Sequence, residues 1–278
     1  MAKILATANQ KGGVGKTTTC VNLCAALSQL GKRVLLVDGD PQGNASTGMG
    51  VSKATRPNTY DMMINQASAA DCVVHTPYGD VIPASKELAA ASVELIDAEN
   101  REYVLKNALM SLYSDYDYIF IDCPPSLELL TVNALVAADS VLIPMQCEYY
   151  ALEGIADLVT SIKMCKRRLN KRLEVEGIAD LVTSIKMCKK RLNKRLEVEG
   201  IVLTMYDTRA NLTTQVADEL RKYLNDKVYN TVVPRSVRLS EAPSHGKPGI
   251  VYDRQNRGSR AYIDLAEEFI KRCEGGEN

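Results

Sequence analysis

Short runs of consecutive apolar residues alternate along the chain with stretches of helical periodicity. The runs that predict strands are 4–8, 33–38, Tyr118–Asp122, 140–144, 201–205 and 231–234, and the stretches that predict helices are 17–30, 86–97, 100–113, 127–137, 213–224 and 258–272. Strands that are apolar at successive positions are typical of sheets covered on both faces. Their alternation with helices predicts an α/β fold, a mostly parallel, twisted sheet with helices on both faces. Segment 46–77 shows no clear period, and we expect helix and loop there.

Composition adds little to this picture. Hydrophobic residues make up 46% of the 278 residues and charged residues 24%, as in ordinary globular proteins. The formal net charge is zero, so any affinity for nucleic acid has to come from a local patch. No apolar run suits a signal peptide or a membrane span, and the eight cysteines contain no CxxC pair, which indicates reduced thiols and a cytoplasmic location. No linker-like stretch divides the chain, so we expect a single domain over 1–278.

A tandem repeat is the unusual feature of the sequence. Residues 153–175 recur at 176–198, and the two copies differ only at Arg167 against Lys190. Each copy carries an apolar helical stripe: Ile155, Leu158, Val159, Ile162 and Leu169 in the first, and Ile178, Leu181, Val182, Ile185 and Leu192 in the second. A parallel connection needs only one crossover helix. Because the second copy leads directly into the strand 201–205, we expect it to fill that place, which leaves the first copy extruded, packed against a partner or disordered.

A glycine-rich loop joins the first strand to the first helix. Its residues are Lys11, Gly12, Gly13, Val14, Gly15, Lys16, Thr17 and Thr18. The spacing from Gly12 to Gly15 is tighter than in the phosphate-binding pattern GxxxxGK[ST], and it fits a variant in which Lys11 replaces the first glycine. Glycines let backbone N–H groups surround phosphate oxygens, and the helix N-terminus adds positive potential. The loop therefore predicts ATP and Mg²⁺ as ligands, with Lys16 on the β- and γ-phosphates and the Thr17 hydroxyl on the metal.

Three aspartates lie at or just past the ends of predicted strands. Asp122 ends one of them, the position of the magnesium-binding carboxylate in P-loop proteins. Asp38 ends another predicted strand and Asp40 comes two residues later, in the sequence DGDPQGN. We expect Asp38 to lie nearer the metal and Asp40 to orient or activate the attacking water. A solvated turn rich in Asp, Gly and Pro is the alternative for this segment.

Together these motifs resemble those of the ParA/MinD family of deviant Walker A ATPases, and most closely its chromosomal ParA (Soj) subgroup. The resemblance is carried by KGGVGKTT (11–18), DGDPQGN (38–44), IDCPPSL (121–127), PMQCEYYALEG (144–154), LTMYDTR (203–209) and VPRSVRLSEAPSHGKP (233–248). These motifs extend over the whole chain apart from the extra repeat. The resemblance implies a P-loop ATPase that acts in chromosome or plasmid segregation and is slow until a partner stimulates it.

The resemblance also implies roles for individual residues. The family forms an ATP-sandwich homodimer, in which Lys11 would reach the phosphates of the other subunit. Lys16 and Thr17 would bind phosphate and metal, Asp40 would support hydrolysis, and Asp122 would serve the metal site. These roles are expectations that the resemblance carries over, position by position.

Further positions match the base and DNA contacts of the family. The adenine side of the nucleotide would lie near Pro234 and Ser236, and Arg209 and Arg238 would bind double-stranded DNA without sequence preference. The implied cycle is a switch: ATP closes the dimer, the dimer binds the DNA backbone, and a ParB/Spo0J-like protein stimulates hydrolysis and release. Backbone binding by basic side chains is sequence-independent and salt-sensitive. The expected location is therefore the cytoplasm, in association with the nucleoid.

Two departures from the family pattern stand out. Gly39 takes a place where the family usually has an apolar residue, which we expect to loosen the loop without removing a catalytic group. The repeat is the second, and its excess of lysine and arginine either strengthens DNA binding or forms a solvated helix face.

Other functions remain open at this point. A MinD-like membrane-associated ATPase would need a basic amphipathic C-terminal helix, whereas the C-terminal helix here has the pattern of one packed on the domain, so we expect no membrane partner. An iron–sulfur carrier or reductase of the same superfamily would need cysteines at the dimer face, for which Cys123 and Cys147 are the candidates. The last alternative is that the repeat disrupts the fold and abolishes activity.

Overall fold

The apolar runs pair side by side in one sheet. The structure is a computed structural model that describes residues 1–126, 128–147 and 178–275. Its strands are β1 Lys3–Thr7, β2 Val34–Asp38, β3 Val74–Thr76, β4 Gly79–Ile82, β5 Tyr118–Asp122, β6 Ser140–Gln146, β7 Glu197–Tyr206 and β8 Val228–Pro234. They lie in the order β3-β4-β2-β5-β1-β6-β7-β8. Neighbouring strands are parallel except β3 and β4, which form an antiparallel hairpin at one edge.

Helices follow most of the strands. They are α1 Lys16–Gln29, α2 Asn44–Gly48, α3 Thr59–Met63, α4 Ala91–Glu94, α5 Val104–Leu109, α6 Leu129–Ala137, α7 Ile178–Arg191, α8 Asn211–Leu224, α9 Val237–Glu241, α10 Gly249–Tyr252 and α11 Arg257–Glu274. Short 3₁₀ turns lie at Lys86–Ala90, Arg101–Tyr103, Met110–Leu112, Asn225–Lys227 and Ala242–His245.

Alternate residues of each central strand face two separate cores. Leu36 and Phe120 point to the face covered by α1 and α11. Leu35 and Ile119 point to the other face, which α5 to α8 cover. All four side chains are 0% exposed, and two covered faces explain why these strands are apolar at every position. The predicted fold class is confirmed.

Some elements differ from the sequence prediction. The segments expected as helices over 86–97 and 100–113 are broken into 3₁₀ turns and the short helices α4 and α5. Leu88, Ala91 and Leu95 are still buried on one side of the segment. The hydrophobic periodicity therefore predicted the buried face correctly, although the backbone changes from a 3₁₀ turn to a short α-helix within it. The hairpin of β3 and β4 was missed, because its strands are only three and four residues long.

The described part of the crossover from β6 to β7 belongs to the second copy of the repeat. Its helix α7 contributes Ile185 and Cys188 to the core, at 5% and 4% exposure. After α7 the Asn193 side chain, through Nδ2, donates to the carbonyl oxygens of Leu135 at 3.1 Å and Ala138 at 2.7 Å. Through these contacts the second copy is packed against the sheet and α6, in the position predicted for it from the sequence. The first copy, 153–175, lies outside the described residues.

Candidate nucleotide-binding site

The predicted site residues lie at the carboxyl edge of the sheet. Asp122 at the end of β5 is in register with Thr7 at the end of β1 and with Asp38 at the end of β2. The chain leaves β1 directly into the glycine-rich loop, so this loop and both acidic strand ends meet at one edge. Ligands of open α/β sheets bind beyond this edge.

Two glycines give the loop its shape. Gly13 has φ 76°, and Gly15, the residue before α1, has φ 90°. Residues other than glycine rarely adopt such backbone angles. Between them Val14 is buried, and its carbonyl accepts a 2.7 Å hydrogen bond from Thr204 Oγ1. Asn9 fixes the other end, since its Oδ1 accepts from the backbone N–H of Lys11 at 3.0 Å. Its Nδ2 also donates to the Pro144 carbonyl at 2.8 Å.

Asn9 and Thr204 were not among the predicted site residues. Thr204 lies within the motif LTMYDTR, and Asn9 lies two residues before Lys11. Threonine and asparagine are common residues, so nothing in the sequence indicates that these two hold the backbone of the glycine loop. Only the fold brings β7 against the loop. The numbering of the loop pattern also needs correction: counted back from Gly15, the first glycine of GxxxxGK[ST] falls on Gln10, and Lys11 is the next position.

The two lysines of the loop have different environments. Lys16 is 7% exposed, and its Nζ donates to the Lys11 carbonyl at 3.1 Å. Burial lowers the pKa of Lys16, and the nearby Asp122 carboxylate partly offsets this. Lys11 is exposed at the tip, next to the exposed Gly12 and Gly13. Lys16 is therefore placed to act within the loop, and Lys11 faces outward.

Thr17 and Asp122 form a pair with an unused acceptor. The Thr17 hydroxyl donates to Asp122 Oδ2 at 2.7 Å. Asp122 is fully buried and its Oδ1 has no hydrogen-bond partner. Burial, followed by the neighbouring Asp38 carboxylate, raises the pKa of Asp122 well above its usual range. An adjacent cation would relieve both the unpaired oxygen and the repulsion between carboxylates.

This donor set fits magnesium. A hydroxyl and a carboxylate are oxygen ligands, and Mg²⁺ typically takes one or two protein ligands and completes its shell with phosphate oxygens and waters. Within the described ranges, no group of three or more His, Cys, Asp or Glu side chains could hold a metal ion without such help. The residues thus suit a metal that arrives with a nucleotide.

Asp38 is bonded to the segment that follows it. It is fully buried, and its Oδ2 accepts from the backbone N–H of Ser46 at 2.8 Å and from the Ser46 hydroxyl at 2.7 Å. Its Oδ1 accepts from the Asp40 N–H at 3.2 Å. Burial raises the pKa of Asp38 to about 6, against the effect of these donors. Asp38 lies beside Asp122, and both of its carboxylate oxygens accept hydrogen bonds from protein donors.

Gly39 packs the loop tightly against Asp122. Its N–H donates to the Asp122 carbonyl at 3.0 Å, and a Cβ at this position would lie 2.8 Å from that oxygen. The expectation that glycine loosens the loop does not match this contact, because the missing side chain permits the close approach. Asp40, which follows, is 8% exposed, and its Oδ1 accepts from the Gln42 N–H at 2.9 Å.

Pro234 and Ser236 line a small cavity on the other side of the loop. The cavity has a volume of about 160 Å³, and Gly15, Thr18 and Thr204 contribute to the same wall. Ser236 also caps α9, because its Oγ accepts from the Leu239 N–H at 3.4 Å. The structure therefore brings the predicted base-side residues next to the predicted phosphate loop.

Arg209 and Arg238 lie just beyond the ends of β7 and β8, at the same edge of the sheet. Arg209 is exposed and pairs with Asp207 at 3.0 Å. Arg238 pairs with Glu241 at 3.0 Å and approaches Asp253 at 3.6 Å. These exposed ion pairs hold little energy, so the guanidinium groups can exchange partners readily.

The cysteines that an iron–sulfur protein would need, and the apolar face of the C-terminal helix that a membrane-associated ATPase would need, are buried in this structure. Cys123 and Cys147 are 1% and 7% exposed, and burial raises the pKa of the Cys147 thiol to about 12. In α11, Tyr262 and Phe269 are packed in the core with α1. Across the part of the chain that the structure describes, no helix is both long and apolar enough to cross a bilayer.

Comparison with known proteins identifies the family. The family model described as an AAA domain (AAA_31) matches residues 2–175. The chain is 52% identical over 271 residues to the sporulation initiation inhibitor protein Soj of Bacillus subtilis, covering 96% of this chain and 98% of that protein. It is 48% identical over 275 residues to the chromosome partitioning protein ParA of Caulobacter vibrioides, covering 97% and 94%.

A solved structure is also similar to this chain over its full length. The cobyrinic acid a,c-diamide synthase of Mycobacterium smegmatis, with bound ADP and magnesium, superposes with a TM-score of 0.78 at 30% identity, over 100% of this chain and 97% of that chain. The resemblance seen in the motifs is confirmed by similarity over nearly the full length. The chain belongs to the Soj/ParA family of chromosome-partitioning P-loop ATPases.

Proposed function

We propose that this ATPase is an ATP-dependent DNA-partitioning switch. In its ATP-bound form a homodimer binds double-stranded DNA without sequence preference, and a ParB/Spo0J-like protein stimulates hydrolysis and release. The observation that carries the proposal is the Thr17–Asp122 pair, with its unpartnered buried oxygen, beside the glycine loop. The relatives named Soj and ParA supply the partitioning role.

Within the site, the residues divide the work. Backbone N–H groups of Gly12, Gly13, Val14 and Gly15, together with Lys16, would bind the phosphates. Thr17 and Asp122 would hold Mg²⁺, and Asp38 would add negative charge next to them. Bound Mg²⁺ would neutralise phosphate charge during phosphoryl transfer. Asp40, whose Oδ1 is held by the Gln42 N–H, would orient the attacking water.

Several outward-facing groups would serve assembly and DNA. Exposed Lys11 would reach the phosphates of the second subunit, and Pro234 and Ser236 would contact the base. Arg209 and Arg238 lie at the same edge of the sheet as the candidate nucleotide site, so dimer closure there would align the arginines of both subunits. Phosphate contacts by arginine are reversible and salt-sensitive. We place the protein in the cytoplasm, on the nucleoid.

The first experiment follows DNA binding. Fluorescence anisotropy of a labelled random-sequence duplex is measured with ATP and with ADP across a salt series, for the wild type and for Lys16→Ala. We expect tight, salt-sensitive binding by the wild type with ATP only, and none by K16A. Equal binding with both nucleotides would contradict the switch, and absence of binding would refute the DNA role. ATP hydrolysis measured in parallel shows whether the protein is active.

A further inference from the structure

Ser46 lies in α2, just after the segment that joins Asp38 to this helix. We call residues 39–43 the switch loop. Ser46 is fully buried on α2, and both its N–H and its hydroxyl donate to Asp38 Oδ2. The same hydroxyl accepts a 3.0 Å hydrogen bond from the Ala84 N–H, just after β4. Ser46 thus uses its one hydroxyl proton and a lone pair to connect Asp38 with the neighbouring strand.

Asp38 in turn fixes both ends of the switch loop. Its Oδ1 accepts from the N–H of Asp40 near the start of the loop, and its Oδ2 accepts from Ser46 just past the end. The backbone carbonyl of Asp38 accepts at 2.9 Å from Thr59 Oγ1. A carboxylate whose oxygens are occupied by loop donors acts as an anchor for that loop.

From this geometry we infer that Ser46 is a positioning residue for ATP hydrolysis. It holds the Asp38 carboxylate, and through it the backbone of Asp40, where the reaction needs them. The inference rests on the proposed role of Asp40 in hydrolysis. The Ser46 hydroxyl bonds to Asp38 and to the Ala84 N–H, which both lie outside the glycine loop. Loss of this hydroxyl is therefore expected to change the rate of hydrolysis and to leave nucleotide binding intact.

The test separates turnover from binding and stability. For Ser46→Ala and Ser46→Thr, we measure kcat for ATP hydrolysis, the Kd of a fluorescent ATP analogue, and the thermal midpoint. Kinetics are run well below each midpoint. S46A is expected to lose roughly tenfold to a hundredfold in kcat, as for a misplaced catalytic group, with Kd unchanged. S46T keeps the hydroxyl and restores turnover.

Ser140→Ala is the matched control. Ser140 Oγ donates to Glu199 Oε2 at 2.7 Å, the same hydroxyl-to-carboxylate bond at the same length as in the Ser46–Asp38 pair. It begins β6 at the opposite, amino edge of the sheet. The control therefore loses an equivalent hydrogen bond away from the site, and its kcat stays at the wild-type value.

The outcomes are distinct. Wild-type kcat in S46A, equal losses in S46A and S140A, or a weakened Kd in S46A overturns the positioning role. Absence of hydrolysis in the wild type overturns the proposed function itself and is seen before any variant is made. If S46A does not fold, Ser46→Cys, of similar size with a weaker donor, takes its place and is expected to reduce kcat with Kd unchanged; wild-type kcat in S46C overturns the role.

Discussion

Replacing Ile185 tests which copy of the repeat builds the crossover helix. Ile185 is 5% exposed on α7 and belongs to the same core as Leu135. Truncating a buried isoleucine to alanine costs about 2–5 kcal/mol of unfolding free energy. Ile185 also lines a cavity of about 360 Å³ with Ile143 and Ile201, so part of its surface already faces open space. For Ile185→Ala we therefore expect the lower half of this range, about 2–3 kcal/mol.

The first copy supplies the control. Ile162 is the residue equivalent to Ile185 in the first copy. If the second copy fills the crossover, Ile162→Ala changes stability by no more than about 0.5 kcal/mol, as surface substitutions usually do. Urea denaturation of both variants and the wild type measures the difference from the midpoint at constant slope. For a chain of this size, I185A should also lower the thermal midpoint by roughly 5–10 °C.

Three results would refute the reasoning. Equal losses in the two variants would mean that both copies are packed alike. A loss in I162A alone would place the first copy in the crossover. Wild-type stability in both single variants, with a loss only in the double variant, would show that either copy can replace the other.

Three further substitutions test other contacts. Asn193→Ala removes a buried amide bound to three carbonyl groups and should cost about 1–3 kcal/mol in urea denaturation, whereas Asn170→Ala, its equivalent in the first copy, should be neutral. Thr204→Val leaves the Val14 carbonyl without its donor, so we expect the Kd of a fluorescent ATP analogue to rise several-fold; an unchanged Kd would show that the loop holds its shape alone. Gly39→Ala puts a Cβ 2.8 Å from the Asp122 carbonyl, and steady-state assays should show slower hydrolysis with ATP affinity preserved.

The central sheet and the glycine loop could be predicted because their signals are local. An apolar run such as Tyr118–Asp122 reports its own burial on both faces, and its boundaries in the structure are those predicted. The loop residues Gly13 and Gly15 are required by backbone angles that the sequence pattern already encodes. The sequence could also predict that Asp38 and Asp122 lie at the same edge of the sheet, because parallel strands all end at one edge.

The supporting residues could not be predicted, because their roles depend on distant partners. Ser46 connects Asp38 to Ala84 across an intervening helix and hairpin, and Thr204 reaches Val14 from a strand 190 residues away in sequence. Serine and threonine are common in loops and helix starts for local reasons. A single sequence gives no sign of which hydroxyl is buried, so these contacts are visible only in the fold.

The position of the repeat bears on how it can affect function. β6 ends at the carboxyl edge of the sheet, and α7 runs back from Ile178 over about 20 Å, the length of fourteen helical residues, to the amino edge where β7 begins. Cys147 and Ile178, the described residues that flank the first copy, therefore both lie on the side of the carboxyl edge, where Arg209 and Arg238 also lie. The first copy holds six basic and three acidic residues. If this positive charge contributes to DNA binding, binding should persist with ADP, because the charge does not depend on the nucleotide; this result would separate it from the proposed ATP-dependent dimer.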